Sequence, residues 1–254
     1  MKSPTVTVIV VTRDRPALLA DALASIAAQK RAPLEVRIAD DGEIPATEVV
    51  AGAGLLEVTV LPVEVRQPGA ARNRAAAQAR GDVLAFLDDD DRWRPAHLEG
   101  LIQAFQDPHC GVAYADAAVI RERIDRDGRR VDLETRIIAR DWDAQVMERD
   151  DYVPPSALAV RRSWFEELGG FDGSFACSED WDFLLRAARA GVPRRVPGVT
   201  VEIRMREQGH ASQDQSAERR ACLQRLSARH GLPPLDIKTF WEVAHDVGRP
   251  SAPA

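Results

Sequence analysis

The stretch "TVTVIVVT" at residues 5–12 decides the fold. It is rich in β-branched residues and almost continuously apolar, which is typical of a strand buried on both faces of a parallel sheet. The stretch that follows, "RDRPALLADALASIAAQ", places Pro16 in a first helical turn and sets Leu19, Leu23 and Ile26 on one helical face. The two stretches together predict a strand followed by a helix that packs against the sheet.

The same alternation continues along the first half of the chain. Three more strands are predicted, namely "LEVRIADD" (34–41), "LEVTVLPV" (56–63) and "DVLAFL" (82–87). An Ala-rich helix before the last of them is expected to end at Gly81, and another helix is expected to open at Pro95. We therefore predict an α/β fold with a central, mostly parallel sheet flanked by helices.

The second half of the chain does not show the regular alternation of strands and helices that the first half shows. "GVAYADAAVI" (111–120) is predicted to be a strand that continues into a hairpin turning at Asp127-Gly128. "SEDWDFLLRAARAG" (178–191) is predicted to be a helix with Ser178 as its N-cap and Gly191 as its C-cap. A polar helix is expected near 212–231, and in the tail Phe240 and Trp241 are expected to dock on the body.

Composition and charge narrow the class of protein. The 254 residues carry 34 Lys and Arg against 40 Asp and Glu, a formal charge of −6, which argues against nucleic acid as a partner. The start of the chain lacks the long apolar region of a signal peptide, and no apolar run reaches the length of a membrane span. Cys110, Cys177 and Cys222 are odd in number and far apart, so neither a disulfide framework nor a zinc site is predicted. We expect a cytoplasmic protein and leave peripheral membrane contact open.

Polar residues follow the predicted strands at the point where each strand ends. They are Thr12, Asp40, Asp41 and the run from Asp88 to Asp91. Ligands of open α/β sheets bind in the crevice outside the carboxyl ends of the strands. The sequence therefore predicts one polar crevice there.

The run of four aspartates, "DDDD" at 88–91, has three interpretations. It is a solvated acidic turn, a site for Mg²⁺ or Mn²⁺, or a calcium loop. The calcium loop lacks the spaced ligands and closing glutamate of an EF-hand. The position at a central strand end favours a divalent cation, because hard oxygen ligands suit Mg²⁺ or Mn²⁺ and offset the repulsion.

Five motifs in this order resemble the inverting family 2 glycosyltransferases, which have the GT-A nucleotide-sugar-binding fold. They are "VIVVTRDRP", "RIADDGE", "PGAARNRAAAQARGDVLAFLDDDDRWRP", "GGFDGSF" and "SEDWDFLLR". The resemblance covers about residues 4–215. It implies a donor-binding half (1–110), an acceptor-binding, catalytic half (111–215) and a C-terminal helix and tail (216–254).

The resemblance implies a set of donor contacts around a metal ion. The donor residues are Thr12, Arg13, Asp14, Asp40, Asp41, Arg72, Asp88 and Asp89, with Asn73 near them. Asp90 would hold Mn²⁺ or Mg²⁺, and His210 would reach the metal or the diphosphate, although an exposed loop histidine is an alternative. Asp91 is expected to be structural, and Trp93 is expected to form a wall of the site.

The resemblance also implies a catalytic base on the helix that begins near Ser178. Asp180 falls where family members carry the base, with Glu179 and Trp181 as acceptor contacts. Asp182 is the competitor, but it points to a different helix face. Taken alone, acids in a first helical turn are explained by the helix dipole, and Trp181 is equally explained as a core residue.

The resemblance leaves the substrates open. "TRDR" stands at 12–15 where many relatives have Thr-Tyr-Asn, so an aromatic contact to the base is not expected and the nucleotide stays open. The family resemblance puts UDP first, with TDP and GDP as alternatives. The acceptor is a carbohydrate, a lipid-linked or a natural-product molecule. A nucleotidyltransferase is the first rival, although the loop "TRDRPA" has neither the glycine nor the lysine expected for it. A catalytically silent binding module is the second.

Overall fold

The first strand of the chain lies in the middle of the sheet, as its apolar sequence predicts. The computed structural model describes residues 3–55, 57–126, 130–206 and 216–250. Strand β1 (Val6–Thr12) pairs in parallel with β2 (Glu35–Asp40) on one side and with β4 (Val83–Asp88) on the other. Strand β3 (Val58–Pro62) extends the parallel half beyond β2.

The second half of the chain continues the same sheet with mixed pairing. Its strands are β5 (Arg92–Trp93), β6 (Val112–Ile124), β7 (Arg130–Ile138), β8 (Leu158–Arg161), β9 (Arg194–Arg206) and β10 (Arg249–Pro250). Strand β8 runs antiparallel between β4 and β6, and β9 runs parallel to β6, so the order is β10-β7-β6-β8-β4-β1-β2-β3. The predicted hairpin is confirmed as β6 and β7, and its turn at Asp127-Gly128 lies outside the described residues.

Helices flank this sheet. Those in the described residues are α1 (Pro16–Ala27), α2 (Thr47–Ala51), α3 (Pro68–Ala76), α4 (His97–Ala104), α5 (Ala144–Met147), α6 (Arg162–Glu167), α7 (Glu179–Ala190), α8 (Ala217–His230) and α9 (Phe240–Val247). Leu19, Leu23 and Ile26 of α1 are buried, as their spacing predicts. The α/β fold class is therefore confirmed. In the part of the chain that is described, no helix combines the length and the apolar character that crossing a bilayer requires.

Two residues that were predicted to cap helices do not cap them in the structure. Helix α3 ends at Ala76, so Gly81 does not close it. A Cβ atom at Gly81 would lie 2.5 Å from the backbone nitrogen of Thr7, so glycine is needed there for close approach to β1. Ser178 is at the N-cap position of α7 but has a left-handed backbone (φ 63°), and its side chain caps nothing.

The C-terminal tail contains a helix that was not predicted. Thr239 and Glu242 form a capping box at the start of α9, each side chain accepting a hydrogen bond from the backbone N–H of the other. The expected docking of the aromatic pair is confirmed, since Trp241 lies 5.4 Å from the Arg121 guanidinium and Phe240 is half-buried.

Candidate active site

A cleft of about 510 Å³ opens where β4 ends and α7 begins. Asp88 and Asp90 line it from the end of β4, and Asp180 lines it from the first turn of α7. The structure thus brings the aspartate run and the predicted base into one cavity.

The four aspartates of the run point in two directions. The side chains of Asp88 and Asp90 are 28% and 14% exposed, whereas Asp89 and Asp91 are buried. Asp91 accepts hydrogen bonds from Ser156 Oγ (2.5 Å) and the Arg204 backbone N–H (2.9 Å). Asp91 is therefore structural, as expected.

Asp89 and Thr12 were expected to contact the donor, and in the structure they contact each other. Thr12 Oγ1 donates to Asp89 Oδ2 (2.7 Å), and Arg15 Nη2 lies 2.7 Å from Asp89 Oδ1. Burial raises the pKa of Asp89 to about 7, and the Arg15 charge opposes the rise. Both side chains are buried and neither lines the cleft. Their hydrogen bond joins the end of β1 to the residue that follows β4.

Asp40 and Asp41, at the end of β2, accept hydrogen bonds from backbone N–H groups of neighbouring loops. Asp40 is buried and accepts from the backbone N–H of Gly42 (3.3 Å) and Ala46 (2.8 Å), and its expected donor contact stays a prediction. Asp41 accepts from the Val65 N–H at 2.8 Å.

Asp14 fixes the loop after β1 to the loop after β2. Its Oδ1 accepts from the N–H groups of Ile44 (2.8 Å) and Glu43 (2.6 Å), and the hydrogen bond from Ile44 is the main cause that lowers the pKa of Asp14. Asp14 and Arg13 are exposed at this edge. They remain expected donor contacts.

The residues available for a metal ion are Asp88 and Asp90. Asp90 Oδ2 is held by Arg15 (2.9 Å) and Arg206 (3.2 Å), and Asp88 Oδ1 by Arg72 (2.6 Å). In the described residues the second oxygen of each carboxylate has no partner, and no group of three His, Cys, Asp or Glu side chains is arranged to hold a metal. Two open carboxylate oxygens suit Mg²⁺ or Mn²⁺ when substrate phosphates complete the shell. His210 lies outside the described residues.

Arg72 is a buried cation that joins two parts of the site. It donates to Asp88 Oδ1 (2.6 Å) and to Glu179 Oε1 (2.8 Å). The charges of both acids raise the pKa of Arg72 despite burial. These bonds use two of its five N–H groups, and Arg72 also lines the cleft, so the expected donor contact stays a prediction beside this positioning role. Asn73 turns away, bonding both the carbonyl and the N–H of Phe171.

The acids of α7 have different environments. Asp182 is fully buried between Arg186, Arg229 and His230. Glu179 is buried against Arg72, and burial raises its pKa to about 7. Asp180 alone of the three is partly exposed to the cleft, and burial raises its pKa also. Glu179 Oε1 is engaged by Arg72, and because Glu179 also lines the cleft its expected acceptor contact stays a prediction.

Two tryptophans predicted near the substrates belong to the core. Trp181 is buried, with its indole N–H donating to the Met147 carbonyl (2.8 Å), but it also lines the cleft, so its expected acceptor contact stays a prediction. Trp93 is buried with its N–H on the Ser156 carbonyl (2.7 Å) and does not line the cleft.

Several residues of the site were not predicted. Asp151 lines the cleft from the loop after α5, and burial together with the charges of Asp180 and Glu179 raises its pKa well above its usual range. The acidic pair "DD" at 150–151 was the available signal. Ser156 bridges two residues of the aspartate run, since its hydroxyl accepts a hydrogen bond from the Asp88 N–H (3.0 Å) and donates one to the Asp91 carboxylate.

Comparison with known proteins assigns the family. The sequence profile described as Glycosyl transferase family 2 matches residues 7–169. The chain is 31% identical over 237 residues to the uncharacterized glycosyltransferase YwdF of Bacillus subtilis, covering 92% of this chain and 87% of that protein. It is 30% identical over 167 residues to the pre-mycofactocin glycosyltransferase of Mycobacterium tuberculosis, covering 64% of this chain but only 35% of the relative.

Solved structures agree on the fold. Residues 1–349 of S. aureus TarS, in complex with UDP-GlcNAc, superpose with a TM-score of 0.64 at 18% identity, covering 96% of this chain and 71% of the other. The architecture is thus the GT-A-like fold that the motif order implied. The chain belongs to glycosyl transferase family 2 and is an enzyme of glycosyl transfer.

Proposed function

We propose that the protein is an inverting, metal-dependent glycosyltransferase that moves a sugar from a nucleotide-diphosphate sugar to an acceptor hydroxyl. Asp180 acts as the general base and Asp90 binds the metal. The observation that carries this proposal is that Asp90 and Asp180, from separate chain segments, line one cleft.

The base assignment is supported by access and charge. A sugar hydroxyl becomes a good nucleophile when a carboxylate within hydrogen-bond reach takes its proton. Asp180 is partly exposed to the cleft, and its raised pKa makes it a stronger proton acceptor than a solvated aspartate. Direct in-line attack by that hydroxyl inverts the anomeric configuration.

The metal assignment is supported by the two open carboxylate oxygens. Asp90, assisted by Asp88, would hold Mn²⁺ or Mg²⁺, which when bound neutralises the charge that develops on the leaving diphosphate. Arg72 orients Asp88, while Arg15 and Arg206 orient Asp90.

The donor proposal draws on the structural neighbours. TarS has been crystallised with UDP-GlcNAc and with UDP, so a UDP-sugar is the first donor to test, with TDP- and GDP-sugars as alternatives. Arg13, Asp14 and Asp41, at the carboxyl ends of β1 and β2, are the proposed contacts for the nucleotide. Carbohydrate, lipid-linked and natural-product acceptors all present the hydroxyl that this chemistry needs.

The test compares binding with transfer. Asp180→Asn keeps the shape of the side chain and should bind UDP as wild type does, while transfer falls by about 10²- to 10⁴-fold. Asp141→Asn is a matched control, because that carboxylate is 89% exposed and does not line the cleft. Equal loss of UDP affinity and transfer in Asp180→Asn would place the base elsewhere. Wild-type protein that binds UDP-sugars but never transfers would be a silent binding module.

A further inference from the structure

The outer wall of the cleft is built by two segments that the site described so far does not use. One is the loop from 149 to 155, and the other is the C-terminal region from α8 to α9. The second segment lies beyond residue 169, where the match to the family profile ends. This wall lies on the same cavity as Asp180, the residue that must meet the acceptor.

Asp151 presents a carboxyl group to the cleft from a firmly held loop. Its neighbours are anchored, since Asp150 binds Lys238 Nζ (2.7 Å) and the buried Tyr152 hydroxyl accepts from the Asp143 N–H (2.9 Å). One oxygen of Asp151 accepts from the Val153 N–H (3.1 Å), and the other has no partner in the described residues. That second oxygen is free to bind a ligand group.

Phe240 supplies an apolar surface to the same cavity. It is half-buried at the start of α9 and lines the cleft beside Leu223 and Val243. Trp181, by contrast, is buried and fixed to Met147. Of the two aromatic residues that line the cleft in the described part of the chain, Phe240 therefore keeps the larger exposed fraction for a ligand.

Lys238 ties the two segments together. Its ammonium group lies 2.7 Å from Asp150 and 2.9 Å from Asp246 of α9. Phe240 follows Lys238 by two residues, and Asp151 follows Asp150 directly. The bridge therefore holds the loop that carries Asp151 to the segment that carries Phe240.

We propose that Asp151 and Phe240 form an acceptor subsite for a carbohydrate ring, in which Asp151 binds a hydroxyl next to the attacking one and Phe240 packs against the C–H face of the ring. This inference rests on the proposed function, because it takes Asp180 as the base that defines the acceptor position. Lys238 is a positioning residue that holds the subsite together.

The chemistry of the wall selects against other acceptors. A simple aliphatic alcohol would cover Asp151 without pairing its carboxyl, and burying an unpaired polar group costs free energy. A neutral ring with adjacent hydroxyls satisfies the carboxyl groups and the aromatic surface together, which is the usual mixture in small-molecule sites.

The experiment measures binding and transfer with defined probes. Saturation-transfer NMR in the presence of UDP and Mg²⁺ measures the binding of methyl glycosides, their monodeoxy analogues and cyclohexanol. Transfer kinetics are then measured for each glycoside that accepts a sugar. Asp151→Asn should raise the KM of the glycoside about 10-fold with a smaller effect on kcat, since an amide oxygen accepts a weaker hydrogen bond from the sugar hydroxyl than a carboxylate does. Phe240→Ala should also raise the KM of the glycoside, whereas Phe240→Tyr, which keeps an aromatic ring, should have a KM close to that of wild type. The matched control Asp141→Asn should bind the glycoside as wild type does.

The outcomes separate the two proposals. Wild-type protein that binds none of UDP, TDP and GDP contradicts the proposed function, whereas nucleotide binding without any signal for methyl glycosides overturns only the subsite. Equal saturation of cyclohexanol and the glycosides, or unchanged KM in both Asp151→Asn and Phe240→Ala, also overturns it. Thermal melting checks that each variant is folded, and Phe240→Leu is a second variant if Phe240→Ala is unstable.

Discussion

Arg72 and Asp88 are joined by a hydrogen bond of 2.6 Å, and the same guanidinium also holds Glu179 at 2.8 Å. Asp88 ends β4, next to the proposed metal ligand, and Glu179 begins α7, next to the proposed base. One buried cation therefore fixes the two sides of the cleft relative to each other.

Replacing Arg72 by methionine tests this connection. The change leaves the buried Glu179 without its cation, and breaking a buried pair by removing one partner costs about 3–5 kcal/mol. We expect the free energy of unfolding, measured by urea denaturation, to fall by about that amount. The double variant Arg72→Met/Glu179→Gln should recover part of the loss, because no unpaired charge then remains at Glu179. Additive losses in the two single variants would show that the ion pair does not couple them.

The parallel half of the sheet was predictable because its signals are local. The strands β1 and β4 are apolar runs, the charged Glu35 and Arg37 alternate with apolar residues in β2, and Leu19, Leu23 and Ile26 repeat at helical spacing. Strand β9 was missed although Val201, Ile203 and Met205 alternate with polar residues and are buried. The capping box of Thr239 and Glu242 was also readable, and it marks the start of α9.

The direction of each polar side chain in the site was less predictable, because its partner lies far away in sequence. Thr12 meets Asp89 across 77 positions, and Asp91 meets Arg204 across 113. A motif locates such residues at a strand end but does not say which of them face inward. Asp90 and Asp180 were placed correctly at the cleft, whereas Asp89 and Trp181 proved to be buried.

Gly81→Ala should destabilise the protein. The added Cβ would meet the backbone of Thr7 at 2.5 Å and disturb the approach of the chain to β1, and overpacking of this kind costs about 1–3 kcal/mol. Gly52→Ala is the matched control, since its nearest contact would be 3.8 Å away and its φ is −93°. That control should be neutral or more stable by about 0.4–1 kcal/mol. Similar chemical denaturation curves for the two variants would refute the close-approach role of Gly81.

Glu35 should contribute stability that depends on pH. Hydrogen bonds from the Arg80 backbone, Arg37, the Arg80 side chain and Thr7 outweigh burial and lower the pKa of Glu35 to about 2. The unfolded chain therefore takes up this proton first, so the contribution is present above about pH 4.5 and is lost as pH falls toward 2.

The variant Glu35→Gln isolates this contribution. It should be less stable than wild type by about 1–2 kcal/mol at pH 6, a value reduced by solvent screening at the exposed Arg80. The difference, measured by urea denaturation at a series of pH values, should shrink toward zero near pH 2. A difference that stays constant with pH would mean that the carboxylate charge is not what stabilises the contact.

Metal binding should depend on the nucleotide. Asp90 and Asp88 each offer one open oxygen, and their other oxygens are held by arginines whose charge opposes a second cation. Mn²⁺ alone is therefore expected to bind weakly, and UDP should tighten its binding by about tenfold or more, because phosphate oxygens complete the shell. Titration calorimetry with Mn²⁺, with and without UDP, measures this coupling. Asp90→Asn should abolish the tightening, while Asp141→Asn should keep it. Tight Mn²⁺ binding without UDP, or tightening that survives in Asp90→Asn, would move the metal away from the end of β4.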